Sequence, residues 1–266
     1  MYKRQASGLP AFKQYYKEEK TRELVLESIY DTVPIKSNRD TTIYSDVGAI
    51  ILGEIVEKIS GLPLDVFADS MIFKPLGMGT TFFNPPSNKI QRIVPTEFKP
   101  DGTIVHGYVH DENAYSLGGV AGHAGLFSTA KDLAVFSQMM LNDGLYGWKR
   151  IFKTETVNEF TTKANVIDGS SRLLGWDSPG GYASGGIYLS DNSFGHTGFT
   201  GTSMWIDPDQ GIIVILLTNA VHPNRKNKSP KYYDWRQRIH SAVYESLSII
   251  NKNPNLKLRP RWEEGE

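Results

Sequence analysis

The spacing of apolar residues predicts helices in the first part of the chain. Apolar residues recur every three or four positions between residues 47 and 59, which is typical of one face of an α-helix. Ser45 or Asp46 can cap the start of this helix, and Gly61 can end it. Shorter helices are predicted over residues 22–31 and from Pro63 to Phe73. The apolar positions of the main helix are Val47, Ile50, Ile51, Ile55 and Ile59.

The pattern changes after residue 84. Residues 84–120 are rich in Pro, Gly and Asn and indicate long loops, after which an apolar period predicts a helix that ends at Gly144. Residues 202–206 alternate, and residues 211–219 are apolar on both faces, which together predict a β-hairpin whose second strand lies centrally in a sheet. The last predicted helix has one apolar side, formed by Trp235, Ile239, Ala242, Val243 and Ile250.

Helices followed by strands and a covering helix predict an α+β fold. We expect one domain over residues 6–250, with a helical region over about 20–165 and a sheet with its C-terminal helix over about 170–250. Residues 1–5, "MYKRQ", resemble translated sequencing-adapter text and are interpreted as a non-native leader. Residues 251–266 are interpreted as a tail.

Composition and charge narrow the function classes. Lys+Arg and Asp+Glu both number 29, so bulk electrostatics do not suggest a nucleic-acid or anionic-membrane partner. The chain has no cysteine, which excludes thiolate catalysis, disulfides and cysteine-based zinc sites. No apolar run reaches the roughly 20 residues of a membrane-spanning helix. His110 and Asp111 are adjacent potential metal ligands, but two such residues are a weak signal, and no metal or organic cofactor is expected.

Three stretches together resemble one family. They are "IYSDVGAIILGEIVEKISGLPLDVFADSMIFKPLGM" (43–78), "GGVAGHAGLFSTAKDLAVFSQMML" (118–141) and "FGHTGFTGTSMWIDPDQGIIVILLTN" (194–219). In order and spacing this chain is similar to the serine hydrolase family of class C β-lactamases, DD-peptidases and related esterases, from about Ser7 to the final helix. The resemblance implies that a serine attacks an acyl donor and that water releases the acyl group.

The resemblance places two active-site elements on this chain. The first is Tyr44-Ser45-Asp46, in which Tyr44 is expected to serve as the base or to relay protons to it. Asp46 stands where many members have Asn, and a carboxylate cannot donate a hydrogen bond as an amide does. Ser45 is expected to contact the substrate.

The second element is His196-Thr197-Gly198. His196 stands where many members have Lys, and a neutral imidazole would weaken recognition of a substrate carboxylate. Thr197 and Gly198 are expected to line the substrate site, with Gly198 allowing close approach. The N–H of Phe199 is expected to be one of the two oxyanion donors. Both replacements favour a peptidase or an esterase over an efficient β-lactamase.

The segment "STAKDL" offers a competing nucleophile. Ser128 and Lys131 have the family's Ser-x-x-Lys spacing, but they follow the Tyr motif, whereas the family's nucleophile precedes it. Thr129 and Asp132 fit a helix-capping pattern, so we interpret the segment as a helix start. His123, between glycines, is interpreted as structural.

"ASGLPAF" resembles a family segment that lies downstream of the nucleophile. We therefore expect the chain to lack the N-terminal strands and the nucleophile helix, to be inactive alone, and to expose a sheet edge that favours self-association. The favoured partner of the complete enzyme is a peptidoglycan peptide, with small esters second. A non-catalytic binding or regulatory module and the C-terminal module of a longer fusion hydrolase remain as alternatives. The resemblance implies an extracytoplasmic location, which the chain itself does not reveal.

Overall fold

The computed structural model describes residues 6–18, 21–37, 40–163, 167 and 170–261. The interpretation of residues 1–5 as a leader lies outside these residues. Two compact units share the chain, and each contains segments from separate parts of the sequence. Unit 1 comprises residues 1–95, 105–132 and 165–170, and unit 2 comprises residues 96–104, 133–164 and 171–266.

Unit 1 is mainly helical. A two-stranded pairing joins β1 (Phe82–Phe83) to β2 (Leu126–Phe127). A π-helical turn over Asp69–Phe73 links α4 directly to α5, which continues the helix predicted from Pro63. Its helices are α1 (Tyr15–Glu18), α2 (Arg22–Tyr30), α3 (Asp46–Ser60), α4 (Leu64–Ala68), α5 (Lys74–Leu76) and α6 (Glu112–Ser116).

Helix α3 confirms the longest sequence prediction. Ser45 caps its start, and Gly61 ends it in the left-handed conformation with φ of 70°. Val47 and Ile50 are buried in the core of unit 1. The predicted apolar face is buried only at its N-terminal end, because Ile59 is 81% exposed.

Unit 2 contains the principal sheet. Most of helix α7 (Ala130–Leu141) belongs to this unit. The hairpin of β3 (Leu145–Tyr146) and β4 (Lys149–Arg150) follows, and then helix α8 (Thr154–Thr161). Three antiparallel strands then form a sheet in the order β5-β6-β7, and α9 (Pro230–Ser246) follows them. The strands are β5 (Phe194–Thr197), β6 (Ser203–Asp207) and β7 (Ile212–Leu216).

The hairpin prediction is confirmed, but the central position of its second strand is not. Strand β7 pairs with β6 in the register Trp205–Val214, and within the described residues it has no second neighbour. Its side chains are half-buried except for Val214, which is buried. In the part of the chain that the structure describes, β7 is therefore an edge strand.

The apolar side predicted for the last helix is only partly buried, because Val243 packs against the core of unit 2 while other members are exposed. Trp235 and Ile239 are 53% and 45% exposed, whereas Gln237 and His240 are buried. Hydrogen bonds make this polar burial favourable, because Gln237 Nε2 donates to the carbonyls of Ala183 and Lys257. The helix thus presents the apolar side chains of Trp235 and Ile239 outward. The buried residues of α9 are Asp234, Arg236, Gln237, His240, Ser241 and Tyr244.

Candidate functional site

The Tyr-Ser-Asp element lies at the start of α3. Ser45 is fully buried, and its hydroxyl accepts a hydrogen bond from the Gly48 N–H (3.0 Å) and donates one to the Pro10 carbonyl (2.7 Å). These two bonds fix the helix start and the preceding loop together. The Ser45 side chain therefore stabilises the fold, and its expected contact with a substrate stays a prediction.

Tyr44 and Asp46 flank this cap. Tyr44 is 36% exposed and directly precedes the capped start of α3. Asp46 is the first residue of α3, where a carboxylate is stabilised by the positive end of the helix dipole. The Asp46 N–H donates to the Ala11 carbonyl at 2.9 Å, which adds a second tie to the same loop. The element thus places a partly exposed tyrosine beside a backbone that is held at several points.

The His-Thr-Gly element closes β5 in unit 2. His196 and Thr197 pair with Met204 and Ser203 of β6. On its other side, β5 is joined to Asp177 through Gly195, and within the described residues this bridge ends before His196. The half-buried His196 lies 2.9 Å through Nδ1 from the Thr197 carbonyl. The strand end therefore retains an edge at which an extended substrate can lie.

Gly198 begins a tight loop that returns the chain to β6. Its N–H donates to the Thr202 carbonyl at 2.8 Å, and a Cβ atom at this position would lie 2.2 Å from Thr202 Oγ1. The sequence suggested that glycine allows substrate approach, whereas the structure shows that the loop itself needs the space. Phe199 follows at the loop tip with 57% of its surface exposed.

Lys228 is a residue of this site that the sequence analysis missed. Its ammonium group donates to the Phe199 carbonyl at 2.6 Å and lies 4.7 Å from the centre of the Phe199 ring. Burial, together with the nearby Arg236 charge, lowers the pKa of Lys228. No sequence signal could have found it, because 29 positions separate it from Phe199 and it belongs to no motif.

The structure assigns "STAKDL" to a helix start. Ser128 Oγ lies 2.8 Å from Thr81 Oγ1, and Thr81 donates its one hydroxyl hydrogen to Asp132 at 2.9 Å. Ser128 is therefore the donor to Thr81, and its proton is engaged in the hydrogen-bond network that leads through Thr81 to Asp132. The N–H of Asp132 donates to Thr129 Oγ1 at 3.3 Å, which confirms the capping interpretation, and Lys131 is exposed.

His123 also serves unit 1. Its Nε2 lies 2.8 Å from the Asp111 carboxylate, and its side chain is only 3% exposed. Asp111 in turn caps α6 by accepting from the Ala114 N–H. The pair therefore joins the glycine-rich loop to a helix start, as the structural interpretation of His123 requires. Across the described residues, no group of three or more His, Asp or Glu side chains could hold a metal ion.

The two elements belong to different units. Tyr44-Ser45-Asp46 lies in unit 1 and His196-Thr197-Gly198-Phe199 in unit 2. No described helix has the length and apolar character needed to cross a membrane.

An α+β fold with a capped Tyr-Ser-Asp helix start and a His-Thr-Gly strand end is the architecture expected of a penicillin-recognising serine hydrolase. The family profile described as Beta-lactamase matches residues 4–238. The chain therefore belongs to the Beta-lactamase family, which confirms the resemblance. The match gives no support to the expected N-terminal truncation.

The names of curated proteins similar to this chain refer to enzymes of the cell wall. The chain is 39% identical over 244 residues to a protein of Escherichia coli K12 named "Putative D-alanyl-D-alanine carboxypeptidase", covering 82% of this chain and 55% of that one. It is 37% identical over 276 residues to the N-acetylmuramyl-L-alanine amidase of Bacillus subtilis 168, covering 91% and 62%. The chain thus spans little more than half the length of these relatives.

Solved structures support the fold. A β-lactamase from Mycobacterium bovis superposes with a TM-score of 0.60 at 20% identity, covering 92% of this chain and 72% of that one. EstCE1, a hydrolase with promiscuous acyltransferase activity, superposes with a TM-score of 0.63 at 18% identity, covering 91% and 70%. At these identities the likeness establishes a β-lactamase-like α+β fold.

Proposed function

We propose that this chain is the major part of a serine acyl hydrolase that acts on D-amino-acid peptides of the cell wall, with simple esters as second substrates. The observation that carries the proposal is the His-Thr-Gly strand end, which keeps an edge for an extended substrate beside the Phe199 loop. The names of the curated relatives favour cell-wall peptides over esters. Such substrates lie outside the cytoplasmic membrane, so the proposal includes an extracytoplasmic location.

The reaction requires an activated serine, a base and an oxyanion site. In the proposal, the Tyr44 phenol takes or relays the proton of the nucleophile, and the Phe199 N–H stabilises the oxyanion. Asp46 supports the helix start beside Tyr44, and His196 with Thr197 binds the extended substrate.

The nucleophile is assigned to a Ser-x-x-Lys segment outside these 266 residues. Ser128-x-x-Lys131 is the sequence's one match to that spacing, and the Ser128 hydroxyl is engaged by Thr81. Two features in unit 2 fit an additional helix and strand: the edge of β7, and the outward apolar side chains of Trp235 and Ile239 on α9. An added strand and an apolar helix would cover both.

The test compares the complete reading frame of the source gene with the 266-residue chain. The complete protein should release D-alanine from a peptide ending in D-Ala-D-Ala and react with a fluorophosphonate probe, whereas the chain alone should do neither. Tyr44→Phe in the complete protein should lower kcat by about 10²–10⁴-fold, while Ser128→Ala should leave kcat unchanged. Probe labelling of Ser128, or failure of the complete protein to hydrolyse both peptide and ester, would refute the proposal.

A non-catalytic module is the second candidate, favoured by the structural use of Ser128. It predicts that the complete protein binds D-Ala-D-Ala peptides without turnover. In the same assay, saturable binding with no released D-alanine and no probe labelling would select this alternative.

A further inference from the structure

Each backbone carbonyl of the loop after β5, residues 198–201, accepts a hydrogen bond. The Gly198 carbonyl accepts from the Gly201 N–H at 3.1 Å, and the Thr200 carbonyl accepts from the Ala220 N–H at 2.7 Å. The Gly201 carbonyl accepts from the hydroxyls of Thr218 and Tyr232. These three carbonyls are thus held by residues of the loop itself or of the segments that follow β7.

The Phe199 carbonyl differs, because a side-chain cation holds it. Lys228 Nζ lies 2.6 Å from this oxygen, a distance typical of a charge-assisted hydrogen bond. The ammonium group also lies over the rings of Phe199 and Tyr233, at 4.7 Å and 5.8 Å from their centres. Lys228 is therefore half-buried, and its ammonium group contacts both the Phe199 carbonyl and the two aromatic rings.

Two arginine side chains lie against the same aromatic rings as Lys228. Arg225 lies 5.8 Å from the Phe199 ring and is itself held by Glu97, whose carboxylate accepts from Arg225 Nε at 2.7 Å and from its backbone N–H at 2.8 Å. Arg236 is 8% exposed and lies over the Tyr233 ring at 5.4 Å. No carboxylate is recorded within 4 Å of the Lys228 ammonium in the described structure, so the Phe199 carbonyl is its hydrogen-bonded anchor.

Because the peptide bond is planar, the hydrogen bond from Lys228 to the Phe199 carbonyl also fixes the direction of the next N–H group. In a trans peptide the C=O of one residue and the N–H of the next point in opposite directions. The bond from Lys228 to the Phe199 carbonyl therefore directs the Thr200 N–H away from Lys228. The Gly198 carbonyl, held by Gly201, sets the direction of the Phe199 N–H in the same way.

We propose that Lys228 is a positioning residue of the loop 198–201. Its ammonium group fixes the Phe199–Thr200 peptide, so that the loop presents the Thr200 N–H to an oxyanion together with the Phe199 N–H, which the bond between Gly198 and Gly201 orients. This inference rests on the proposed function in one respect, the assignment of Phe199 as an oxyanion donor. Lys228 does not touch the reacting atoms. It acts through the peptide that it orients and adds positive potential beside the loop.

The experiment uses the 266-residue chain and acetate as the oxyanion probe, with ¹H–¹⁵N resonances of Phe199 and Thr200 as the readout. Acetate should shift both resonances saturably. Lys228→Met removes the charge and the donor, so the apparent Kd for acetate should rise about tenfold, the equivalent of one charge-assisted hydrogen bond. Lys228→Arg should restore the affinity, and the neutral donor of Lys228→Gln should give an intermediate value.

Lys226→Met is the matched control, because Lys226 is an exposed lysine two positions away whose side chain lies outside the loop contacts. It should leave the affinity and both resonances unchanged. Unchanged Phe199 and Thr200 resonances in both Lys228→Met and Lys228→Gln, or equal weakening in Lys226→Met, would overturn the proposal. Neither readout needs a nucleophile, so a missing hydrolase activity would refute the proposed function while leaving this result intact.

Discussion

Acidification should destabilise this protein through one buried imidazole. His240 on α9 is fully buried, and its Nε2 lies 2.9 Å from Ser203 Oγ on β6. Burial, and then the nearby Arg236 charge, lowers the pKa of His240 from 6.5 to about 4. The folded chain therefore holds a neutral imidazole at pH values where the unfolded chain holds a protonated one.

The direction and the size of this change in the free energy of unfolding follow from proton linkage. Between pH 6.5 and 4 the unfolded state binds more protons, so the free energy of unfolding falls as the pH falls. With an unfolded pKa of about 6.5, the loss from pH 7.5 to pH 5 is about 2 kcal/mol, approaching about 3 kcal/mol below pH 4. This stability is fully present above pH 6.5.

Urea unfolding at pH 7.5 and pH 5 measures the effect. In His240→Gln the difference in unfolding free energy between the two pH values should shrink by about 2 kcal/mol, whatever the variant's absolute stability. His222→Gln, which replaces an exposed histidine, should keep the full difference. If His240→Gln showed the same pH difference as the unmutated chain, the imidazole would not be the group responsible.

Three further predictions concern unit 1 and the edge of the sheet. Ser128→Ala should cost about 1 kcal/mol in urea unfolding, one hydrogen bond to Thr81, and a larger loss would indicate another role. Asp132→Ala should cost about 3 kcal/mol, because the Thr80 N–H and two threonine hydroxyls converge on its carboxylate, and a loss below 1 kcal/mol would show that water replaces them. The chain should self-associate through the edge of β7, so Ile213→Lys should shift its sedimentation coefficient toward that of the monomer. The control Ile59→Lys on α3 should leave sedimentation unchanged, and an equal shift in both variants would exclude the edge of β7 as the contact.

Local signals predicted the first half of the fold well. Helix α3 follows from its apolar period, its Ser45 cap and its terminal Gly61, all of which lie within 17 residues and act through the backbone. The capping role of Thr129 was predictable for the same reason. Such features need no knowledge of the tertiary structure.

The faces of α9 could not be predicted in that way. The periodicity identified an apolar stripe containing Trp235 and Ile239, but which side is buried depends on the surface against which the helix packs. The sheet and the segments around Ala183 and Lys257 offer hydrogen-bond partners, so Gln237 and His240 are buried instead. Lys228 was missed for the same reason, because its partner is a backbone carbonyl 29 positions away.

The segment "STAKDL" shows why a spacing alone does not define a catalytic motif. A serine and a lysine three positions apart share a face only when both lie on a helix. Here α7 begins at Ala130, so Lys131 lies in its first turn while Ser128 precedes it in the loop. The hydroxyl turns to Thr81 and, through it, to the buried carboxylate of Asp132, which also receives the Thr80 N–H. A base that removed the Ser128 proton would break this network and place a second negative charge beside a buried carboxylate, which is electrostatically unfavourable. The same hydrogen bonds that start the helix therefore argue against Ser128 as the nucleophile.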